Sequence, residues 1–215
     1  MIKKTVLEII DDISKNIKYP GDFLNERYLH HYFSSKFLEK EDCLNLKSDE
    51  DYRFHTEWPT FKKKTNIEYR RYKKRDDKHY HPDENGSGGF IDFAIGNYDE
   101  PEIAIEFTLK YGWNTEETIF DFLKILDSKN PFKIGISYNL ILRENGVVQK
   151  GNLEKLERKM NESIEIAKKR LRGDVSDKSR EIYLMITELD KYNNRRNWVF
   201  DRKEERFLRK PKDDV

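Results

Sequence analysis

A single cysteine, Cys43, among 215 residues rules out an internal disulfide and any cysteine-based metal cluster. No signal-peptide pattern opens the chain, and no apolar run approaches the ~20 residues a membrane helix needs. Secretion and membrane spanning are therefore not expected, and a cytoplasmic protein is the default. Internal repeats and low-complexity segments are missing as well. Net charge is nearly absent: 42 basic against 41 acidic side chains leave +1, an average that conceals local patches. General disorder is argued against by what is plentiful, namely 13 Phe, 12 Tyr and 3 Trp. The length suits one domain with a substantial core.

Two apolar runs stand out. Phe90-Ile91-Asp92-Phe93-Ala94-Ile95 and Ile103-Ala104-Ile105-Glu106-Phe107-Thr108-Leu109-Lys110 read as strands joined by Gly96-Asn97-Tyr98-Asp99-Glu100-Pro101, a turn-forming sequence. Each strand carries one carboxylate, Asp92 or Glu106. An ionised carboxylate in an apolar strand costs several kcal/mol unless it is paired or bound to a cation. Glu106, Thr108 and Lys110 share a face because strand side chains alternate. Two carboxylates beside a lysine suit a divalent metal, Mg2+ or Mn2+, with Asp92 and Glu106 as ligands and Lys110 assisting a nucleophilic water.

The flanking chain supplies the rest of an α/β fold with a mixed sheet. Val6, Ile9, Ile10, Ile13 and Ile17 predict a helix over 5–17. Asp22 is a candidate N-cap for a second helix to Leu38. Its Leu29 and Phe33 share a face with Glu26, which either points inward with them or is a solvated first-turn acid favoured by the helix dipole. His30 and His31 are read as ordinary histidines, not ligands. Residues 52–59 predict a strand ended by Pro59, with Glu57 as a secondary acidic candidate. A helix from Thr115 or Glu116 to Leu126 carries Asp121, Lys124 and Asp127 on its polar side. With the strand at 132–142 it completes a strand–helix–strand crossover, which implies a parallel pair. A helix over 153–171 and a strand over 180–190 follow. A single domain over 1–190 is expected, with a basic extension over 191–215.

Two segments are basic. Phe61–Tyr80 holds nine Lys or Arg against three acidic residues, interleaved with tyrosines. Basic groups meet phosphates and tyrosines stack on exposed bases, so Lys62, Lys63, Lys64, Arg70, Arg71, Lys73, Lys74 and Arg75 are candidate nucleic-acid contacts. Residues 191–212 repeat the bias.

An inward Glu on a helix, a strand, an Asp strand, a Glu strand, a crossover helix and a further strand resemble the PD-(D/E)XK nuclease superfamily. The resemblance covers roughly Asp22 to Leu142. It implies a restriction-endonuclease-like core, a metal-dependent nuclease acting on DNA, and catalytic roles for Asp92, Glu106, Lys110 and Glu26. A homodimer is left open. In the family's pattern, Lys stands two residues after Glu. Here that slot holds Thr108, and Lys110 lies one step further along the same face, ~6.6 Å away at about 3.3 Å per residue. The alternative is therefore a catalytically impaired relative that binds nucleic acid or protein.

Overall fold

The computed structural model of the protein describes residues 1–19, 25–40, 53–62, 67–68, 70–74, 79–144, 146, 150–176 and 179–210. Helix α1 (Ile2–Asn16) buries Val6, Ile9, Ile10 and Ile13, the stripe that its helical spacing dictates. Helix α2 (Glu26–Leu38) buries Leu29, Phe33 and Phe37, spaced four apart. Asp22 lies outside the described residues; Asn25 precedes the helix and makes no side-chain cap bond.

Strand β1 (Arg53–Pro59) is followed by five short strands: β2 (Phe61–Lys62), β3 (Ile67–Glu68), β4 (Arg71–Lys74), β5 (Tyr80–Pro82) and β6 (Ser87–Gly88). Then come β7 (Phe90–Gly96), β8 (Pro101–Tyr111), α3 (Thr115–Leu126), β9 (Ile134–Arg143), α4 (Lys150–Leu171) and β10 (Glu181–Asp190). Strands β11 (Arg195–Asp201) and β12 (Arg206–Arg209) close the series. The stretch expected to be a basic extension thus contributes two strands, and Trp198, Phe200 and Phe207 enter the core.

Seven strands form one mixed sheet in the order β1-β7-β8-β9-β10-β11-β12. Strands β8, β9 and β10 are parallel, linked by crossovers through α3 and α4, and the outer pairs are antiparallel. The sheet is covered on both faces, which explains why β9 is buried from Ile134 to Leu142 instead of alternating. One core joins α3 and α4 to Trp58, Ile91, Ala94, Ala104 and the inner residues of β10. The other joins α1 and α2 to Phe93, Ile95, Ile103, Ile105 and Phe107.

Aromatic packing positions α2. The Phe33 ring lies 5.1 Å from Phe107 and 5.3 Å from Phe93, so the helix is seated on the β7–β8 hairpin. Burying each such ring stabilises the fold by roughly 1.5–3 kcal/mol. The consequence is local: the first turns of α2, with Glu26 and His30, arrive beside the carboxylate strand. No described helix is long and apolar enough to cross a membrane.

Candidate functional site

The hairpin places the first carboxylate at an irregularity. In β7, Phe93 and Ile95 belong to the α1–α2 core, while Ile91 and Ala94 belong to the α3–α4 core. Strict alternation would not allow Ile91 and Ala94 to share a side. The change of face falls next to Asp92, whose Oδ2 accepts the Phe107 N–H at 2.7 Å. On the neighbouring strand, register runs through Thr56↔Phe93 and Trp58↔Ile91, with Glu57 between them at φ +50°. A non-glycine residue in that region stores about 1–3 kcal/mol of strain, and this one falls where β1 passes Asp92.

Register on the other side pairs Phe93 with Ile105 and Ala94 with Ala104. Beyond the Phe93–Ile105 pair, Asp92 and Glu106 are the next residues on their two strands. Glu106 is 2% exposed, on the side covered by α3. There Lys124 enters, with its ammonium 2.6 Å from Glu106 Oε1 and 3.3 Å from Asp121 Oδ1. Lys124 also donates to the Phe90 carbonyl at 2.9 Å. Thr108 Oγ1 donates to Asp121 Oδ2 at 2.5 Å, tying the helix carboxylate to the strand.

Burial pushes the Glu106 carboxyl well above its ordinary pKa, with Asp92 and Asp121 adding to the rise and Lys124 opposing it. Burial works against the Lys124 ammonium, but Glu106, Asp121 and Asp92 more than compensate and hold it firmly protonated. Glu26 is raised by burial and by the neighbouring Asp92 and Asp121, although its Oε2 receives the Leu109 N–H at 3.4 Å. His30 Nε2 stands 3.4 Å from Asp92 Oδ2, and despite burial that carboxylate lifts the imidazole pKa.

A cavity of about 230 Å³ is lined by Glu26, Asp92, Glu106, Phe107, Thr108, Lys110, Glu117, Phe120, Asp121 and Lys124. All four residues expected to be catalytic, Asp92, Glu106, Lys110 and Glu26, therefore reach one cavity, as does Thr108. Lys110 is paired with the exposed Glu117, and burial lowers its pKa. Glu57 is exposed and does not line the cavity; it acts on the site only through its charge, which favours protonated His30.

Sequence reasoning missed Lys124, Asp121 and His30. Periodicity assigns Lys124 and Asp121 to the polar side of α3, and that side faces the carboxylates, not water. The available signal was their i,i+3 spacing directly after the carboxylate hairpin. His30 was passed over because one imidazole on a helix carries no spacing signal, and only the docking of α2 brings it to Asp92.

The basic segment divides. Arg70 is a partly buried structural cation, donating to Asp127 Oδ2 at 2.5 Å and to Asp174 Oδ2 at 2.7 Å. Arg71 lies 3.6 Å over the Phe61 ring and donates to the Glu84 carbonyl. Lys73 and Lys74 are exposed on β4. Lys63, Lys64, Arg75 and the side chain of Lys62 lie outside the described residues.

The donor set has the chemistry of a hard-cation site. One ligand atom each from Glu26, His30 and Asp92 lie within 4.8 Å of one another. His30 Nε2 is buried 3.4 Å from Asp92 Oδ2, and Glu106 Oε1 lies 2.6 Å from the Lys124 ammonium. Carboxylate oxygens with one imidazole suit Mg2+ or Mn2+. Comparison with known proteins returns no matching family model, no matching curated protein and no matching solved structure.

Proposed function

We propose that the protein is a divalent-metal-dependent nuclease hydrolysing phosphodiester bonds in DNA. The observation that carries this reading is the buried ammonium of Lys124 inside a cavity of carboxylates, 2.6 Å from Glu106. Lys124 supplies from a helix the cation that Thr108 does not supply from the strand. Kinship with the PD-(D/E)XK nucleases is part of the same proposal.

Asp92 and Glu106 would hold Mg2+ or Mn2+, with Glu26 and His30 completing or adjusting the shell. Bound there, such an ion would lower the pKa of a water and polarise the phosphate. The rest falls to the chain. Phe107 N–H holds the Asp92 carboxylate in place. Lys124 donates to the Phe90 carbonyl and holds its ammonium beside the carboxylates of Glu106 and Asp121. For a phosphate that enters the cavity, the fixed positive charge of Lys124 would stabilise the anionic transition state. Thr108 keeps Asp121 beside Lys124, so the ammonium stays oriented.

One observation favours the second reading, a non-catalytic binding module. Lys124 neutralises Glu106 without help, so the cluster is self-sufficient as a buried ion pair. Calorimetry with Mn2+ on the wild type and on Asp92→Ala, together with plasmid cleavage by Asp92→Ala and Lys124→Met, separates the two. The nuclease reading expects metal binding lost in Asp92→Ala and cleavage lowered at least about 100-fold in both variants. A wild type that binds no Mn2+, or variants that cleave as fast as the wild type, would sink it.

A further inference from the structure

Helix α2 brings two donor groups to the carboxylate strand, and one of them is a nitrogen. Glu26 and His30 stand one helical turn apart, so they project from the same side of the helix. Leu29 and Phe33 lie on that side too and are fully buried, which seats it on the sheet. The His30 ring meets Phe93 edge-on at 5.2 Å between centroids and lies 6.1 Å from Phe107. Packing thus fixes the imidazole, with Nε2 3.4 Å from Asp92 Oδ2. Backbone fixes the two acids: Asp92 Oδ2 accepts the Phe107 N–H at 2.7 Å, and Glu26 Oε2 the Leu109 N–H at 3.4 Å. The His30 and Asp92 side chains are 28% and 19% exposed, so an ion reaches them without opening the core.

The spacing fits one ion. Two ligand atoms each about 2.1 Å from an ion stand roughly 3 to 4.2 Å apart in an octahedral shell, adjacent or opposite. The 3.4 Å between Nε2 and Oδ2 falls in that range, and the three donor groups lie within 4.8 Å of one another. An ion pair between His30 and Asp92 would by itself account for one carboxylate only. Glu26 is then left facing the charges of Asp92 and Asp121, while Lys124 is engaged with Glu106 and Asp121 on the α3 side. The nitrogen also bears on the choice of ion. Mg2+ is hard, dehydrates reluctantly and takes oxygen ligands, whereas imidazole is a ligand of first-row transition ions. Among those, Mn2+ is the one that also accepts carboxylates readily.

We propose that His30 Nε2 is a direct ligand of the ion at Asp92 and Glu26, and that this nitrogen makes the site selective for Mn2+ over Mg2+. This rests on the reading of the cavity as a metal centre and names both its cofactor and the residue that selects it. An ion bound there takes the place of any proton on Nε2, which leaves to solvent.

The test is calorimetric titration of Mn2+ and of Mg2+ into wild type, His30→Ala and His30→Asp, with circular dichroism confirming the fold of each. The wild type is expected to bind Mn2+ at least about tenfold tighter than Mg2+. His30→Ala should weaken Mn2+ by at least about tenfold and change Mg2+ by less than about threefold. His30→Asp offers oxygen in place of nitrogen and should narrow the ratio by strengthening Mg2+. Pulsed electron paramagnetic resonance gives a readout that needs no variant. The Mn2+-loaded wild type should show hyperfine coupling to a directly bound nitrogen, absent from His30→Ala. A wild type that binds Mn2+ no tighter than Mg2+, or that shows no nitrogen coupling when loaded, overturns the inference. Plasmid cleavage is scored separately. Cleavage supported equally by both ions, without nitrogen coupling, defeats this inference and leaves the nuclease reading standing. Nitrogen-coupled Mn2+ with no cleavage does the reverse.

Discussion

The Lys124 ammonium lies 2.6 Å from the Glu106 carboxylate, and the two side chains are 7% and 2% exposed. They come from different elements, a helix and the strand before it, and form the electrostatic centre of the cavity. Removing one partner strands the other charge in a dry place. Lys124→Met is expected to destabilise the metal-free protein by about 3–5 kcal/mol at neutral pH, read by urea unfolding. Lys124→Met combined with Glu106→Gln should recover much of that loss, because no unpaired buried charge remains. Losses that simply add in the double variant would show that the pair is not coupled.

Arg70 and the β4 lysines are expected to behave oppositely although they share one basic run. Arg70→Met leaves the fully buried Asp127 without its ion partner, at a cost of about 3 kcal/mol, or about 6–12 °C in Tm for a chain of this size. Lys73→Ala with Lys74→Ala should leave Tm unchanged, since both side chains are exposed. If the β4 face meets phosphates, the same pair of changes lowers the salt slope of DNA binding by about 2. A normal Tm for Arg70→Met would mean that its ion pairs are dispensable.

His55 provides a pH test away from the cavity. Burial lowers its pKa below the ordinary 6.5, with nearby Arg53 acting in the same direction, while the contact of Nε2 with the Gly96 carbonyl at 3.1 Å opposes them. The unfolded chain therefore binds the proton more readily than the folded one. Stability from this residue is present above about pH 6.5 and declines as the pH falls toward the folded-state value. His55→Gln should flatten that part of the curve when the unfolding free energies of variant and wild type are subtracted across pH 5 to 7. An unchanged difference across that range would remove His55 as the cause.

The order of the long elements was readable without coordinates because each carries a period of its own. The stripe Val6, Ile9, Ile10, Ile13 marks α1, and the apolar runs bounded by turn residues mark β7, β8 and β9. The parallel β8–β9 pair followed from the length of the helix between them, whereas the spacing of Glu26 to Leu29 and Phe33 left an inward and a solvated placement both open. Strands β2 to β6 were invisible, since two to four residues are too few to show a period. Strands β11 and β12 were hidden because arginines sit beside their core aromatics, Trp198, Phe200 and Phe207.

Local pattern alone established an α/β chain with two carboxylates on adjacent strands and a lysine displaced from the spacing expected beside them. Which cation serves Glu106 was settled in three dimensions. A helical period tells which side chains share a side, but not whether that side faces water or a neighbouring carboxylate, so Lys124 reads from sequence as a surface residue. The same limit applies to Arg70, whose partners Asp127 and Asp174 lie far along the chain. Charge is written in the sequence, whereas its strength depends on burial and on ångström-scale distances to other charges, and packing sets both.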